Sequence, residues 1–263
     1  MILKKIIHAK RQEIDHLKKT RPITLLKEYI ESSPPPLDFA GAVSNHDCAV
    51  IAEIKKRSPS KGRIRNDFDP VVIASLYEKC GAAAISVLTD ENFFGGHRSY
   101  LLGIKKMVSL PLLRKDFIID PYQIYETRVL GGDAVLLIAG LLEDNILKES
   151  IDLAASLDLA PLVEVHTRKE LERALAAGAG IIGINNRNLN TFVTDLRVSA
   201  ELVSHVPDDH IIVSESGIGT RDDVEFLMKN GIRTFLIGEA LMRAHCIEEK
   251  LGVLLGKGSV QND

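Results

Sequence analysis

Eight short apolar runs, separated by segments with helical periodicity, constrain the fold of this chain more than any other feature. The runs are rich in valine, isoleucine and leucine and recur roughly every 20 to 35 residues, the spacing of strand-plus-helix units. They span residues 49–54, 83–88, 110–113, 134–138, 160–165, 180–184, 211–213 and 234–237. Odd- and even-numbered positions of the runs are both apolar, so both faces of each strand would be buried. This predicts strands of a parallel sheet with helices packed on its faces.

The segments between the runs predict the helices of these units. The segment 70–81 begins with Pro70, which suits a first helical turn, and stops at Gly81. The segments YQIYETRVL before Gly131 and RKELERALAA before Gly178 follow the same scheme. Eight such units close a barrel, so the predicted fold class is α/β, a (β/α)8 TIM barrel with its active site at the carboxyl ends of the strands. A doubly wound open sheet is the competing fold, which the lack of a G-x-G-x-x-G turn after the first run disfavours.

Residues 1–47 predict an N-terminal helical extension ahead of a barrel domain at 48–263. Apolar residues at helical spacing, with lysines and arginines between them, are Leu3, Ile6, Ile7, Ile14 and Leu17. A basic membrane helix would show this pattern too, but the pattern is more typical of a helix that packs on the main domain. The run SSPPP at 32–36 then marks a hinge, because prolines exclude regular structure.

Composition argues against several functional classes. The formal net charge of −3 gives no global attraction to nucleic acid or to an anionic membrane, so any anion must bind locally. The three cysteines lie far apart without a CxxC pair, which argues against disulfides and zinc and favours a reducing cytoplasm. We therefore expect no metal, no signal peptide, no membrane span, and no fused isomerase or amidotransferase domain.

Ionisable and amide side chains cluster at the ends of five runs. They are Glu53 with Lys55, Lys115 with Asp116, Glu164 with His166, Asn185 with Asn186 and Arg187, and Glu215 with Ser216. Residues two apart in a strand share a face, so Leu113 and Leu162 would form an apolar layer below charged partners. These charges could instead point into solvent. Lysines and glutamates that desolvate one another in a barrel mouth are, however, typical of an acid–base site.

Glycines and serines at the strand ends predict a phosphate site. Following the first, seventh and eighth runs are Ser58, Ser60 and Gly62, then Gly217, then Gly238. In barrels of this class, backbone N–H groups after the seventh and eighth strands commonly converge on a phosphate. Each glycine alone is also ordinary turn chemistry. Together with Arg57, the set predicts a phosphorylated small-molecule substrate.

A series of sequence segments carries a resemblance to a known family. In order, they are ILKKIIHAKRQEI, AEIKKRSPSKG, ISVLTDENFFGG, LLRKDFIID, AVLLIAGLL, LVEVHT, IIGINNRNL, SESGI and LIGEALM. On these segments the chain resembles indole-3-glycerol phosphate synthase of tryptophan biosynthesis over essentially its full length. The resemblance implies a carboxy-lyase that closes the ring of 1-(o-carboxyphenylamino)-1-deoxyribulose 5-phosphate, losing carbon dioxide and water, without a cofactor.

The resemblance also implies catalytic roles. Lys115 would be the general acid of ring closure and Lys55 would hold the substrate carboxylate, with the division of proton donation between the two lysines left open. Glu164 would complete the loss of water, and Glu53 would tune and orient the lysines. Contacts to the substrate hydroxyls and ring would come from Asn185 and Glu215.

Further substrate contacts follow from the same resemblance. Phe94 and Phe117 would wall the aromatic ring, unless they are plain core residues, and Arg187 would lie near the glycerol phosphate end. The phosphate would sit on Arg57, Ser58, Gly217 and Gly238, and Ser216 would be a further substrate-binding residue. Two positions depart from the family pattern: Ala240 and His97 each stand where a serine is common. We expect weaker phosphate binding from the first departure and altered ring-pocket contacts from the second.

The extension would cover the barrel mouth, and the protein would be a cytoplasmic monomer or weak homodimer that acts on a small molecule. One rival function is a Schiff-base aldolase with Lys115 as nucleophile. The other is a catalytically silent barrel that serves as a scaffold. The second rival predicts loss of Lys55, Lys115 or Glu164, and all three residues are present.

Overall fold

Eight parallel strands close into a barrel in the computed structural model, which describes residues 2–59, 62–188 and 191–257. In chain order the strands are β1 Ala49–Ile54, β2 Ala84–Leu88, β3 Leu112–Lys115, β4 Ala134–Ile138, β5 Ala160–Val165, β6 Ile181–Asn185, β7 Ile211–Glu215 and β8 Thr234–Ile237. Each strand pairs with its sequence neighbours, and β8 closes the ring on β1. The predicted (β/α)8 barrel is confirmed.

Three strands extend further toward the mouth than the apolar runs predicted. β3, β6 and β7 end at Lys115, Asn185 and Glu215, whereas the corresponding runs were bounded by their last apolar residues. The polar residues belong to the ladder, since Lys115 pairs with Leu88 and Asn185 pairs with Glu215. Hydrophobicity alone therefore underestimates strand length where a strand ends in a functional site.

In the described chain, three helices precede the first strand, and the other helices follow the strands. The helices are α1 Ile2–Thr20, α2 Ile23–Glu31, α3 Phe39–Ser44, α4 Pro70–Lys79, α5 Ser99–Lys105, α6 Pro121–Val129, α7 Asp144–Ser156, α8 Arg168–Ala176, α9 Arg197–Leu202, α10 Arg221–Lys229, α11 Glu239–Arg243 and α12 Ile247–Leu254. A short 3-10 turn, Val203–His205, follows α9. A two-residue pairing of Arg57–Ser58 with Gly62–Arg63 follows β1.

Alternate residues of each strand point into the barrel and out toward the helices, so two separate apolar clusters form. Ile51, Leu113 and Leu162 point inward and join one buried cluster in the barrel interior, as the two-residue spacing predicts. Val50 and Ala52 point outward and pack in a second cluster with the surrounding helices. The inward face is thus apolar below, and its next residues toward the mouth are the charged ones.

The N-terminal extension contacts the barrel at both ends. The predicted amphipathic helix is present as α1, and Ile14 and Leu17 pack with Leu26 of α2 against Tyr122 of α6. After the proline-rich hinge, α3 lies at the opposite end, where the Thr234 hydroxyl donates to the Val43 carbonyl at 2.9 Å.

Phe39, the first residue of α3, forms the floor of the barrel. Its side chain is 1% exposed and belongs to the interior cluster with Ile51 and Leu113. Because the strands begin here, an aromatic ring at this point closes the core to water. The predicted extension is therefore also part of the barrel core.

The described part of the chain contains free thiols at Cys48, Cys80 and Cys246. Among its residues, no group of three or more His, Cys, Asp or Glu side chains is arranged to hold a metal ion. Each described helix is too short or too polar to cross a membrane.

Replacing Phe39 with alanine should lower the free energy of unfolding by about 3 to 5 kcal/mol, the usual cost of a buried phenylalanine. Denaturant unfolding measures the change. Phe226→Ala is the matched control, because its ring is 39% exposed, and it should cost far less. Equal losses for both variants would contradict the assignment of Phe39 to the barrel floor.

Candidate active site

The carboxyl ends of the strands bring five polar side chains together in the mouth. They are Glu53 of β1, Lys115 of β3, Glu164 of β5, Asn185 of β6 and Glu215 of β7. Each follows an inward-facing residue by two positions, so each continues the inward face. The four side chains around the lysine are buried, with exposures between 2% and 6%.

Lys115 is the central cation of this cluster. Its Nζ lies 2.9 Å from Oε2 of Glu164 and 3.2 Å from Oε2 of Glu215. Burial opposes the charged form, but the carboxylates of Glu164, Glu215 and Glu53 outweigh it and raise the pKa of Lys115 above its usual value. A raised pKa keeps Lys115 in its ammonium form at neutral pH.

Glu164 and Glu215 differ in charge state although both face the same lysine. Burial alone would raise the pKa of Glu164, but Lys115 and a 3.0 Å hydrogen bond from Nδ2 of Asn185 hold it below its usual range. For Glu215, burial and the charge of Glu164 outweigh Lys115 and raise the pKa to about 8. The site thus pairs one ionised with one protonated carboxyl at neutral pH, a pattern typical of acid–base sites.

A second lysine and carboxylate stand beside the first group. The Nζ of Lys55 contacts Oε1 of Glu53, and Lys55 lines the cavity above. A Cβ at Gly238 would overlap the Glu53 carboxylate, so glycine at this position makes room for the side chain. The predicted phosphate glycine therefore also shapes the acid–base cluster.

Gly183, in the middle of β6, is a site residue that sequence reasoning missed. A Cβ there would collide with Oε1 of Glu215 and would lie 2.8 Å from Cδ2 of Leu162. Glu215 consequently occupies the space of a missing side chain on the neighbouring strand. A glycine within an otherwise apolar strand is the sequence signal that could have pointed to this close approach.

A cavity of about 730 Å³ opens above the charged cluster. Phe94 and Phe117 stand at one side, with ring centroids 6.0 Å apart and an interplanar angle of 41°. The predicted site residues along its walls are Glu53, Lys55, Ser58, Phe94, Lys115, Phe117, Glu164, Asn185, Arg187, Ser216 and Gly217. The volume lies in the range of small-molecule binding sites.

The end of the cavity beyond β7 and β8 carries basic side chains and tight backbone. Ser216 and Gly217 have φ angles of 68° and 82°, a turn that exposes backbone groups. Arg187 lies 3.7 Å from Oε2 of Glu239, and Nε of Arg243 donates to Oε1 of Glu239 at 3.0 Å. Arg243 also lines the cavity; it was not among the predicted residues, although it follows Gly238 in the same short segment.

Arg57 is not brought to this basic end of the cavity. Its guanidinium donates to the carbonyl of Glu91 at 3.1 Å and to that of Asn92, because the loop after β2 passes beside it. His97 is not among the residues that line the cavity, and its ring contacts Ser99 and Glu91. Ser60, predicted with the phosphate group, lies outside the described residues.

Comparison with known proteins gives the family. The family model described as indole-3-glycerol phosphate synthase matches residues 3–254. The chain belongs to the indole-3-glycerol phosphate synthase family. The family consists of carboxy-lyases of tryptophan biosynthesis that close the indole ring of a phosphorylated small-molecule substrate.

Named relatives cover nearly the whole chain. An indole-3-glycerol phosphate synthase of Legionella pneumophila (strain Paris) is 49% identical over 97% of this chain and 98% of its own length. One from Desulforamulus reducens is 48% identical over 98% of both chains. One from Acetivibrio thermocellus is 52% identical over 82% of this chain and 84% of its own.

Solved structures at low identity share the fold alone. A thiamine phosphate pyrophosphorylase from Pyrococcus furiosus has a TM-score of 0.60 at 15% identity, covering 79% of this chain and 94% of that one. An N-acetylmannosamine-6-phosphate 2-epimerase from Clostridium perfringens has a TM-score of 0.57 at 17% identity, covering 73% and 86%.

Gly183→Ala should lower kcat/KM for the family substrate by roughly 10- to 100-fold, because a displacement of about 1 Å can cost that much. The added methyl group would push Glu215 away from Lys115. Steady-state kinetics measure the effect. Gly180→Ala is the control, since a Cβ there meets nothing within 4 Å. Equal kinetics for the two variants would rule out a role for Gly183 in seating Glu215.

Proposed function

We propose that this chain closes the ring of 1-(o-carboxyphenylamino)-1-deoxyribulose 5-phosphate with Lys115 as the general acid. The observation that carries the proposal is the position of its ammonium group, between Glu164 and Glu215 under a cavity walled by aromatic rings. A positioned acid of this kind is typically worth about 10² to 10⁴ in rate.

Ring closure needs a proton at the ketone oxygen. The ring carbon that bears the carboxylate attacks the ketone, and the developing alkoxide takes a proton from Lys115. Although the pKa of Lys115 is raised, an alkoxide is more basic still, so the transfer is favourable. The protonated carboxyl of Glu215 lies beside Lys115 and could return a proton to it.

Loss of carbon dioxide restores the aromatic ring and requires the carboxylate to be held. Lys55 stands at the cavity wall with Glu53 behind it, and we assign it to the substrate carboxylate. Glu53 orients Lys55 and adds to the negative field around Lys115. Both lysines remain candidates for the proton that the second stage requires.

Loss of water completes the indole ring. The departing hydroxyl takes a proton from a lysine, while the carbon next to the ring nitrogen gives up a proton. Glu164 is the acceptor we propose, because its lowered pKa keeps it ionised and ready to bind that proton. Asn185, which donates to Glu164, orients the carboxylate and contacts the substrate hydroxyls.

The phosphate is assigned to the basic end of the cavity. Ser58, Ser216, Gly217 and Gly238 would offer hydroxyl and backbone groups, and Arg187 would supply charge near the glycerol chain. The left-handed turn at Ser216 and Gly217 supports this assignment. Arg57 is assigned to bracing the loop after β2 instead, because its guanidinium is engaged by carbonyls there.

Three further inferences accompany this function. We infer a monomer or weak homodimer, since most large apolar residues of the described chain are buried, with Val72, Met107 and Phe226 among the exposed exceptions. We infer a cytoplasmic location from the free thiols, without a nucleic-acid or membrane partner. We also infer that α1 shields the mouth, because Lys10 of α1 pairs with Asp90 and Asp116, which follow β2 and β3.

A Schiff-base aldolase is the rival that the site chemistry disfavours. Such an enzyme needs a neutral lysine amine as nucleophile, which a lowered pKa provides. The carboxylates around Lys115 raise its pKa instead. The electrostatics of the mouth thus support proton donation over nucleophilic attack.

Lys115→Met should abolish most turnover, with kcat falling by about 10² to 10⁴, because the alkoxide then lacks its proton donor. Indole fluorescence after mixing with the substrate measures the rate. Lys148→Met, at an exposed helix position, should leave it unchanged. Full activity of folded Lys115→Met would refute the proposed acid, and a flat trace from folded wild type would refute the function.

Glu215→Gln should become relatively more stable than wild type as pH rises from 6 to 9. The pKa of Glu215 is raised from 4.5 to about 8, so its contribution to stability is complete below 4.5 and is lost as pH rises through 8. Glutamine mimics the protonated carboxyl and has no such loss. Thermal denaturation at both pH values, with exposed Glu149→Gln as control, measures the difference. A pH-independent difference would contradict the raised pKa.

A further inference from the structure

Lys10 is a buried lysine on α1 that the proposed mechanism does not use. Its side chain is 2% exposed, and its Nζ lies 2.9 Å from Oδ1 of Asp116, 3.4 Å from Oδ2 of Asp90 and 2.8 Å from Oε2 of Glu13. A buried ammonium group is costly unless it is paired. We call Lys10, Asp90 and Asp116 the Lys10 cluster.

Asp90 connects this cluster to the aromatic wall of the cavity. It follows β2, and its Oδ1 accepts hydrogen bonds from the backbone N–H groups of Phe93 at 2.7 Å and Phe94 at 3.1 Å. Its carbonyl accepts from Gly96 at 2.8 Å. The side chain and the backbone carbonyl of Asp90 thus both fix the turn that carries the Phe94 ring.

Asp116 connects the cluster to Lys115 and to the second ring. It directly follows Lys115, and its Oδ1 accepts from the N–H of Phe117 at 2.8 Å. Its Oδ2 accepts from the Thr89 hydroxyl at 2.6 Å and from Arg114 at 3.3 Å. Burial would raise the pKa of Asp116, but Lys10, Arg114 and these hydrogen bonds lower it to about 2.

Strand parity explains why one short segment serves two sites. Lys115 points into the barrel, whereas Arg114 points outward to Glu126 of α6 at 2.9 Å. Lys10 approaches Asp116 from α1, on the outer side. Without Lys10, Asp116 would keep Arg114 as its cation, and Asp90 would keep no ion pair among the described residues.

We propose that Lys10 is a positioning residue: its ammonium group, inserted between Asp90 and Asp116, holds the segments that carry Phe94, Lys115 and Phe117 in place. The inference rests on the proposed function for its activity readout. Through this contact the first helix of the extension sets the distance between the aromatic walls and the general acid. Lys10 itself touches no reacting atom.

A second lysine on α1 provides a matched comparison. Lys18 donates to Oδ2 of Asp120 at 2.6 Å, which ties α1 to the start of α6. Its side chain is 45% exposed and contacts neither ring nor Lys115. If ion pairs of α1 merely anchored the helix, loss of either lysine would affect catalysis alike.

The test compares Lys10→Met, Lys10→Arg and Lys18→Met with wild type, using indole fluorescence for kinetics and thermal denaturation for folding. Lys10→Met should raise KM and lower kcat, with kcat/KM down roughly 10- to 100-fold, at a temperature where it is folded. Lys10→Arg should recover much of this loss, and Lys18→Met should match wild type. If Lys10→Met is unfolded, Lys10→Met with Asp90→Asn replaces it, because this double variant leaves less unpaired charge.

A double-mutant cycle separates positioning from general destabilisation. Phe94→Leu also disturbs the aromatic wall. The fold-loss in kcat/KM of the double variant Lys10→Met with Phe94→Leu should therefore be smaller than the product of the two single fold-losses. Wild-type kinetics for folded Lys10→Met, or losses that multiply fully, would overturn the positioning role. Absence of turnover in folded wild type would refute the proposed function instead.

Discussion

A buried ammonium group held between the side chains of two glutamates is the constraint on which the rest of this active site depends. Lys115 stays charged because Glu164 and Glu215 lie within 3.2 Å of it. Burial and the negative charge of Glu164 outweigh Lys115 and raise the pKa of Glu215 to about 8, so Glu215 keeps its proton near neutral pH. In the proposed mechanism these three side chains supply an acid, a base and a proton reserve.

The barrel makes this arrangement possible by giving each charge a strand of its own. Rigid neighbouring strands fix the side chains without requiring flexible loops to order them. Two glycines, which lack a Cβ, leave room for these side chains: Gly183 for Glu215 and Gly238 for Glu53. The extension completes the framework from two directions, with Phe39 closing the floor and Lys10 bracing the outer side of the mouth.

Much of this architecture could be predicted from the sequence, because apolar runs and two-residue parity report directly on a parallel barrel. The positions of Lys115 and Glu164 at the mouth followed from the same parity. Lys10 could not be predicted, since its partners are distant in sequence and it resembles any lysine on an amphipathic helix. Arg57 remains a predicted phosphate residue, but its guanidinium donates to nearby backbone carbonyls, a contact that no local sequence pattern reveals.

The ionisation of Lys115 is the most direct test of this account. Nitrogen-15 NMR of lysine-labelled protein, with Lys115→Met to assign the signal, reports the charge on Nζ as pH is raised. The account predicts an ammonium signal for Lys115 that persists beyond the pH at which exposed lysines become neutral. A neutral amine at pH 8 would contradict it, because Lys115 could not then be the resident proton donor.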